Sequence, residues 1–302
     1  MSQPPPAETP EDEVQLREAL PRPPRLENLA TTGVWIVQWR DGHGPRPGSA
    51  LHRWLEARHP GWSRLVDCQG RTDVVSAIKA ATWFARDGRA SPILHLDADC
   101  DAGGLSGPDR DGASEQVSWE ELAPHLARLN VATRGNLVLV CAAGEGVAAG
   151  LAAAARERSP CMAVIAPATT TPPPPAPWLM AIRRLYRCWH EGHPGLEEAS
   201  APLAPARMEA ASMPAELHAR LVSGLLADTR PGGQSRADGP AALLAALGAD
   251  ADGVDAWPAL PRRLQRHWRT LFMTDLYPDN LLRFNCDMKT VAWRILMARG
   301  LA

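Results

Sequence analysis

The sequence has no strong excess of charge and no long apolar run. Among its 302 residues, 32 lysines and arginines nearly balance 34 aspartates and glutamates, which gives a net charge of −2. Proteins that bind polyanions or membrane surfaces usually carry a basic surplus, and a membrane helix needs about 18 or more consecutive apolar residues. We therefore expect a chain that binds neither nucleic acid nor membrane.

The N-terminus lacks the features of a secretory signal. Its first residues, MSQPPPAETPEDEVQ, are acidic and rich in proline, whereas a signal peptide begins with basic residues and continues with an apolar stretch. We therefore expect a cytoplasmic protein. Residues 1–32 are rich in proline and glutamate and offer little apolar surface to bury, so they are predicted to form a disordered tail.

Cysteine pairs at metal-ligand spacing are missing. The six cysteines contain no CxxC pair and are spread from Cys68 to Cys286. This spacing argues against a disulfide framework and against a thiolate zinc site. We predict reduced thiols, most of them packed in the core.

What the sequence does contain, from Gly33 onward, is an alternation of apolar runs and helical patterns. Strands are predicted at 34–39, 64–68, 93–99, 137–143 and 161–166, and helices at 48–58, 72–86, 118–129 and 147–158. Elements that alternate in this way form right-handed β-α-β crossovers. The predicted fold class is therefore α/β, with a doubly wound and mainly parallel sheet.

The pattern changes after Pro167, where the proline run ATTTPPPPAP interrupts any helix or central strand. Helices are then predicted at 178–189, 215–226, 241–247, 260–271 and 287–298. We predict three regions from this organisation. They are a tail at 1–32, an α/β domain at 33–192 and a helical C-terminal extension at 193–302.

Candidate functional residues follow two of the predicted strands. In SPILHLDADCDAGGL, an apolar strand leads into Asp97, Asp99, Cys100 and Asp101. In NLVLVCAAGEG, another apolar strand leads into a glycine-rich turn that contains Gly144. The carboxyl ends of parallel strands face the crevice in which ligands bind, so the two segments are predicted to contribute to one site.

These residues carry a resemblance to a known family. The core from about Gly33 to Trp189 resembles the caspase-like fold of prokaryotic CHAT-type peptidases, and SWEELAPHLARLNVATRGNLVLVCAAGEG is similar to the segment that links their catalytic strands. In that family a His-Gly ends the third strand and a Cys followed closely by Gly ends the fourth, as base and nucleophile. The resemblance places Asp99 at the His position and Gly144 at the Cys position, so both catalytic identities are absent.

The resemblance therefore implies a pseudopeptidase. An unperturbed aspartate titrates near pH ~4 and is a poor proton acceptor for a thiol, and glycine offers no nucleophile. The implied role is to bind or regulate another protein, either an active caspase-like protease or a component of a prokaryotic signalling or defence system. No cofactor is expected in this role.

An active hydrolase is the alternative, and a relocated dyad is its first form. The candidates are Cys100, Cys141 and His95. Cys141 and His95 lie inside their predicted strands, where a cysteine is usually a packed core thiol. Cys100 lies at the strand end, but the carboxylates on both sides of it disfavour a thiolate.

The second form of the alternative is a metal-dependent enzyme. Asp97, Asp99 and Asp101 alternate along the strand, and carboxylates that converge at a strand end suit Mg²⁺ or another divalent cation. Three carboxylates without a compensating cation would repel one another. We expect this cluster to be solvated or paired with an arginine.

Overall fold

The computed structural model describes residues 10–22, 25–26, 30–41, 46–88, 90–142, 146–167, 175–192, 196, 203, 208–229, 234–252, 254 and 256–301. The chain forms two compact units. One is Arg25–Glu216, and the other combines Met1–Pro24 with Leu217–Ala302.

The strands lie in the unit Arg25–Glu216. In chain order they are β1 (Gly33–Gln38), β2 (Ser63–Asp67), β3 (Pro92–Asp97), β4 (Asp99–Cys100), β5 (Gly104–Pro108), β6 (Ser114–Ser118), β7 (Val138–Cys141), β8 (Ala163–Pro167) and β9 (Met208–Ser212). Six of them form one sheet in the order β2-β1-β3-β7-β8-β9. The first five of these are parallel to their neighbours, and β9 runs antiparallel to β8 at the edge.

The helices, in chain order, are α1 (Pro10–Ala19), α2 (Pro47–Glu56), α3 (Arg71–Gly88), α4 (Trp119–Ala132), α5 (Val147–Ala154), α6 (Pro175–Glu191), α7 (Met213–Asp228), α8 (Gln234–Ala246), α9 (Leu260–Leu271), α10 (Asn280–Phe284) and α11 (Met288–Ala298). A 3-10 turn, Trp257–Ala259, precedes α9. No helix in the described part of the chain is long and apolar enough to cross a membrane.

Helices cover both faces of the six-stranded sheet. The chain passes from β1 to β2 through α2 and then crosses back over β1 to β3 through α3. Right-handed crossovers that run in opposite directions place their helices on opposite faces. Accordingly α2 packs with α6, while α3, α4 and α5 pack together. The predicted α/β class with a doubly wound, mainly parallel sheet is confirmed.

Central strands of this sheet are buried on both faces and therefore consist of apolar runs. All residues of β1, β3 and β7 are buried, and the core also includes Trp39, Trp119 and Trp189. The helix α4 begins as its sequence predicts, because the Ser118 hydroxyl accepts a hydrogen bond from the Glu121 amide at 3.2 Å.

A small antiparallel sheet is the main departure from the predicted elements. Strands β4, β5 and β6 pair in that order, so that residues 99–118 form a ribbon after β3, where no strand is predicted beyond residue 99. Leu105 and Val117 are buried opposite each other in it. Gly104 has a φ of 157°, and a Cβ there would lie 2.1 Å from the Val117 carbonyl oxygen, so only glycine fits.

The predicted regional boundaries also change. The edge strand β9 belongs to the α/β unit, which therefore extends to Glu216 rather than ending at 192. Within the predicted tail, α1 forms a helix, and Leu20 and Leu26 are buried. The α1 segment belongs to the same unit as the C-terminal helices. The Arg294 guanidinium donates a hydrogen bond to the Ala19 carbonyl, and Arg17 donates one to Ser223 at 3.3 Å.

Candidate functional site

The candidate site lies where β3 and β7 end side by side. The two strands are parallel neighbours, with Leu94 opposite Leu139 and Leu96 opposite Cys141. The residues predicted from sequence to share a crevice therefore follow adjacent strands. Gly144 lies outside the described residues, so its position relative to Asp99 stays a prediction.

Asp97 is the last residue of β3, and its side chain is fully buried. It accepts hydrogen bonds on both carboxylate oxygens and on its backbone carbonyl. Its Oδ2 accepts the Gly48 amide at 2.7 Å, at the first turn of α2, and its Oδ1 accepts Arg40 Nε at 3.0 Å. Its carbonyl accepts the Trp39 amide at 2.9 Å. A helix N-terminus attracts negative charge, and here a carboxylate of the same chain occupies that place. A Cβ at Gly48 would lie 2.8 Å from Oδ2, so the close approach requires glycine.

Arg40 holds the whole end of β3. Besides Asp97, it pairs through Nη1 with Asp99 and donates through Nη2 to the Ala98 carbonyl at 3.0 Å. The Asp97 side chain is fully buried, whereas 68% of the Asp99 side chain is exposed. The pair with Asp97 is therefore the structural one, because exposed pairs are screened by water.

Burial and ion pairing shift the pKa values of Asp97 and Arg40 in opposite directions. Burial raises the pKa of the Asp97 carboxyl above its ordinary value, and Arg40 and the Gly48 amide offset only part of that rise. Burial acts to lower the pKa of Arg40, but Asp97 and Asp99 more than offset it and leave the pKa raised. Arg40 therefore stays charged, and it is the cation that makes a buried Asp97 tolerable.

A second layer of polar contacts supports the start of α2. Gln38, fully buried at the end of β1, accepts the Ser49 amide at 2.8 Å and donates to Asp67 at 3.2 Å. Asp67 in turn pairs with Arg46. These contacts link the ends of β1 and β2 to the same helix turn that binds Asp97, so the ends of three strands are cross-linked by hydrogen bonds.

Asp101 does not join the other two carboxylates. Its Oδ1 accepts the Gly103 amide at 2.7 Å and the Gly104 amide at 3.1 Å, so it stabilises the turn between β4 and β5. Two members of the proposed Asp97, Asp99 and Asp101 metal cluster thus contact Arg40 and the third caps a turn. The described residues contain no group of three or more His, Cys, Asp or Glu that could hold a metal ion. The expected arginine pairing is confirmed for Asp97 and Asp99.

The relocated dyad of Cys141 and His95 does not form. His95 pairs with Val140 and Leu96 pairs with Cys141 across β3 and β7. Paired residues share a face and successive residues alternate, so His95 and Cys141 point to opposite faces of the sheet. The two residues of this alternative are therefore not placed to act together as a dyad.

His95 is a buried neutral imidazole. Its Nδ1 shares a hydrogen bond of 2.7 Å with the Tyr186 hydroxyl from α6, and Trp178 lies beside the ring. Burial, with a smaller contribution from Arg40, lowers its pKa to about 3. A group this weakly basic does not accept a proton from a thiol at neutral pH.

Cys100 and Cys141 meet on the opposite face. Cys100 donates to the Ala98 carbonyl at 3.5 Å, and the fully buried Cys141 is close enough for Cys100 to affect its pKa. The contact with Cys100 and burial raise the pKa of Cys141 well above its ordinary value. Both residues are buried. They are packed thiols, as their strand positions predict.

A cleft of about 470 Å³ opens beside Arg40 and Asp99. Its wall is the ribbon strand β5, which packs on Trp39 because Gly107 has no side chain, and the Trp39 indole donates to the Pro108 carbonyl at 2.7 Å. Sequence reasoning missed Arg40, Gln38 and Trp39. The one available signal was their position directly at and after the end of β1, which neighbours β3.

Comparison with protein-family models, with curated proteins and with solved structures gives no match for this chain.

Proposed function

We propose that this chain is a caspase-like pseudopeptidase that acts by binding another protein in a prokaryotic signalling or defence system. Its partner is an active caspase-like protease or a signalling component. The α/β unit supplies the scaffold, and the end of β3 supplies a rigid ion-paired surface in place of a catalytic base. The proposal requires no cofactor.

One observation carries this proposal. At the strand end where the resemblance places a catalytic imidazole, Asp99 is bound to Arg40 and the neighbouring Asp97 is bound to Arg40 and Gly48. A guanidinium that binds a carboxylate makes that carboxylate a weaker proton acceptor. Support for the family comes from the pairing of β3 with β7, because the resemblance needs those two strands to be neighbours.

Thiol reactivity tests whether a nucleophile survives. Five of the six cysteines are buried, and Cys188 is partly exposed. A working nucleophile would react rapidly and selectively with iodoacetamide, whereas packed thiols react only on unfolding. We expect native protein to label at Cys188 alone. Selective labelling of Cys100 or Cys141, together with peptide cleavage that disappears in Cys100→Ala or Cys141→Ala, would show an active peptidase.

Genome context and reconstitution test the regulatory role. A neighbouring reading frame with intact His-Gly and Cys-Gly strand ends is the expected partner. Its peptidase activity is to be measured with this chain absent and then present at a range of concentrations. We expect binding and a change of activity that persist in the Cys100→Ala variant. Neither binding nor an effect on any such protease would count against the proposal.

A further inference from the structure

The unit that combines Met1–Pro24 with Leu217–Ala302, which we call the helical unit, carries a groove whose charged lining residues are all cationic. This groove has a volume of about 800 Å³ and runs between α9 and α11, with the 3-10 turn before α9 at one end. All four of its charged lining residues are cationic, namely Arg262, Arg263, Arg266 and Lys289. They form a concentrated positive surface on a chain whose net charge is −2. We call it the basic groove.

Three of these cations are available to a ligand. Arg263 pairs with Asp250 at 3.0 Å, but no described carboxylate lies within ion-pairing distance of Arg262, Arg266 or Lys289. The nearby Asp287 is engaged as the N-cap of α11, where it accepts the Thr290 amide at 2.9 Å and the Thr290 hydroxyl at 2.6 Å. Asp287 also interacts electrostatically with Lys289, but no described carboxylate pairs with Arg262 or Arg266. Neighbouring cations at one surface repel one another and favour an anionic ligand.

Apolar side chains accompany the charge. Pro258 and Pro261 line the groove, and Trp293 lies at its α11 side with 44% of its surface exposed. Met297, one turn further along α11, is 56% exposed. Exposed tryptophan beside arginine is the composition that carries most of the binding energy at protein interfaces. The groove therefore offers both charge and an apolar contact.

The walls of the basic groove are held in place before any ligand binds. Gln265 of α9 donates to the Cys286 carbonyl at 3.2 Å and accepts the Lys289 amide at 3.1 Å. The buried Trp268 indole donates to the Phe284 carbonyl at 2.8 Å. A groove with fixed walls loses little conformational entropy on binding, which favours affinity.

We infer that the basic groove docks an acidic segment of a partner protein that carries apolar side chains among its carboxylates. The carboxylate of Asp250 pairs with Arg263, and this negative charge opposes the dense, continuous charge of nucleic acid more than that of a short peptide. The prolines and Trp293 fit leucine-like side chains, which nucleic acid lacks. The inference is independent of the pseudopeptidase proposal, because the groove lies wholly in the unit that contains Leu217–Ala302.

Fluorescence anisotropy with a labelled synthetic peptide tests the docking. The probe is an amphipathic peptide of glutamate and leucine at helical spacing, and the comparison ligands are its glutamine-for-glutamate analogue and a DNA duplex. We expect the acidic probe to bind the full-length chain. The double variant Arg262→Glu/Arg266→Glu should weaken binding by about tenfold or more and flatten its salt dependence. Trp293→Ala should weaken binding and keep the salt dependence.

The matched control reverses the charge of two exposed arginines in the other unit, Arg53→Glu/Arg110→Glu. This variant should change the affinity for the probe only by the small effect of the altered net charge. Melting curves confirm that every variant is folded. The inference is overturned if the wild type fails to bind the probe or if both double variants bind it equally. It is also overturned if the DNA duplex binds more tightly than the peptide and loses affinity in Arg262→Glu/Arg266→Glu.

Discussion

A carboxylate removed from water requires compensation from the protein, and Asp97 obtains it from one arginine and one backbone amide. The contacts come from Arg40, just after β1, and from Gly48, in the first turn of α2. The requirement for a partner could be predicted from three nearby aspartates. The identity of the partner could not, because Arg40 and Asp97 are 57 positions apart.

Arg40→Met removes the cation and leaves Asp97 buried. We expect the free energy of unfolding to fall by about 3 kcal/mol or more, because an uncompensated buried charge carries its full desolvation cost. Arg46→Met is the matched control, since its pair with Asp67 is about half exposed, and it should cost about 1 kcal/mol or less. Denaturant titration measures both. Equal losses in the two variants would contradict the role given to Arg40.

The pH dependence of Arg40→Met provides a second test. Without Arg40, burial raises the pKa of Asp97 further, so the folded protein holds a proton that the unfolded chain releases. The free energy of unfolding should therefore fall as pH rises above the ordinary aspartate range. Adding Asp97→Asn removes the titrating group, so the double variant should lose this slope and recover stability. A slope that persists in the double variant would assign it to another group.

His95 should make the protein sensitive to acid. Its pKa is about 3 in the folded protein against 6.5 for the unperturbed group, so the unfolded chain binds a proton over this interval while the folded protein does not. Stability from this group is complete above pH 6.5 and falls as pH decreases, by up to ~1.4 kcal/mol per pH unit. In His95→Phe/Tyr186→Phe, which replaces the polar pair together, that part of the slope should vanish. An unchanged slope below pH 6.5 would place the effect elsewhere.

At the scale of whole elements, sequence periodicity was sufficient for the five parallel strands of the large sheet and for most helices, but it missed the edge strand β9. Apolar runs of the kind at Ile93–Leu96 have few alternatives to a buried strand, and α9 was predicted with its observed bounds, Leu260–Leu271. The ribbon was missed because β5 reads GLSGP, in which glycine and proline indicate a turn. Its strands are stabilised by packing on Trp39 and Trp119, which no local pattern reveals.

The contact between α5 and the ribbon depends on a glycine. A Cβ at Gly150 would lie 2.2 Å from the Ala102 carbonyl oxygen and 2.7 Å from the Trp119 ring. Gly150→Ala should therefore destabilise the protein by about 1–3 kcal/mol, although alanine is the better helix former by about 1 kcal/mol. Gly88→Ala, at the end of α3 with no close neighbour, should be neutral or stabilising. Thermal melts of the two variants should shift in opposite directions.

At the scale of the whole molecule, charges of both signs nearly cancel, yet they are distributed unevenly. The basic groove gathers cations in the helical unit, while Asp97, Asp99 and Arg40 form a compensated cluster in the α/β unit. The net charge of the sequence therefore describes the molecule as a whole, but it carries no information about which charged residues lie together. Charges brought together by folding come from distant segments, and composition does not record which ones meet.

Divalent cations should not stabilise the protein through the aspartate cluster. Mg²⁺ would have to displace Arg40 from Asp97 and Asp99 and draw Asp101 out of its turn. We expect an unchanged melting temperature in Mg²⁺ or Mn²⁺ at constant ionic strength. A rise that disappears in Asp97→Ala and Asp99→Ala would favour the metal-dependent hydrolase instead.

The union of α1 with the C-terminal helices has a consequence for the order of folding during synthesis. The Arg25–Glu216 unit is continuous in sequence and can assemble as soon as it leaves the ribosome. The helix α1, in contrast, has its contacts with Ser223 and Arg294, which lie 206 and 275 positions further along the chain than the residues that contact them. During synthesis it must wait without these partners until Arg294 has been made. Nascent chains therefore expose this acidic segment to chaperones and proteases throughout the synthesis of the Arg25–Glu216 unit.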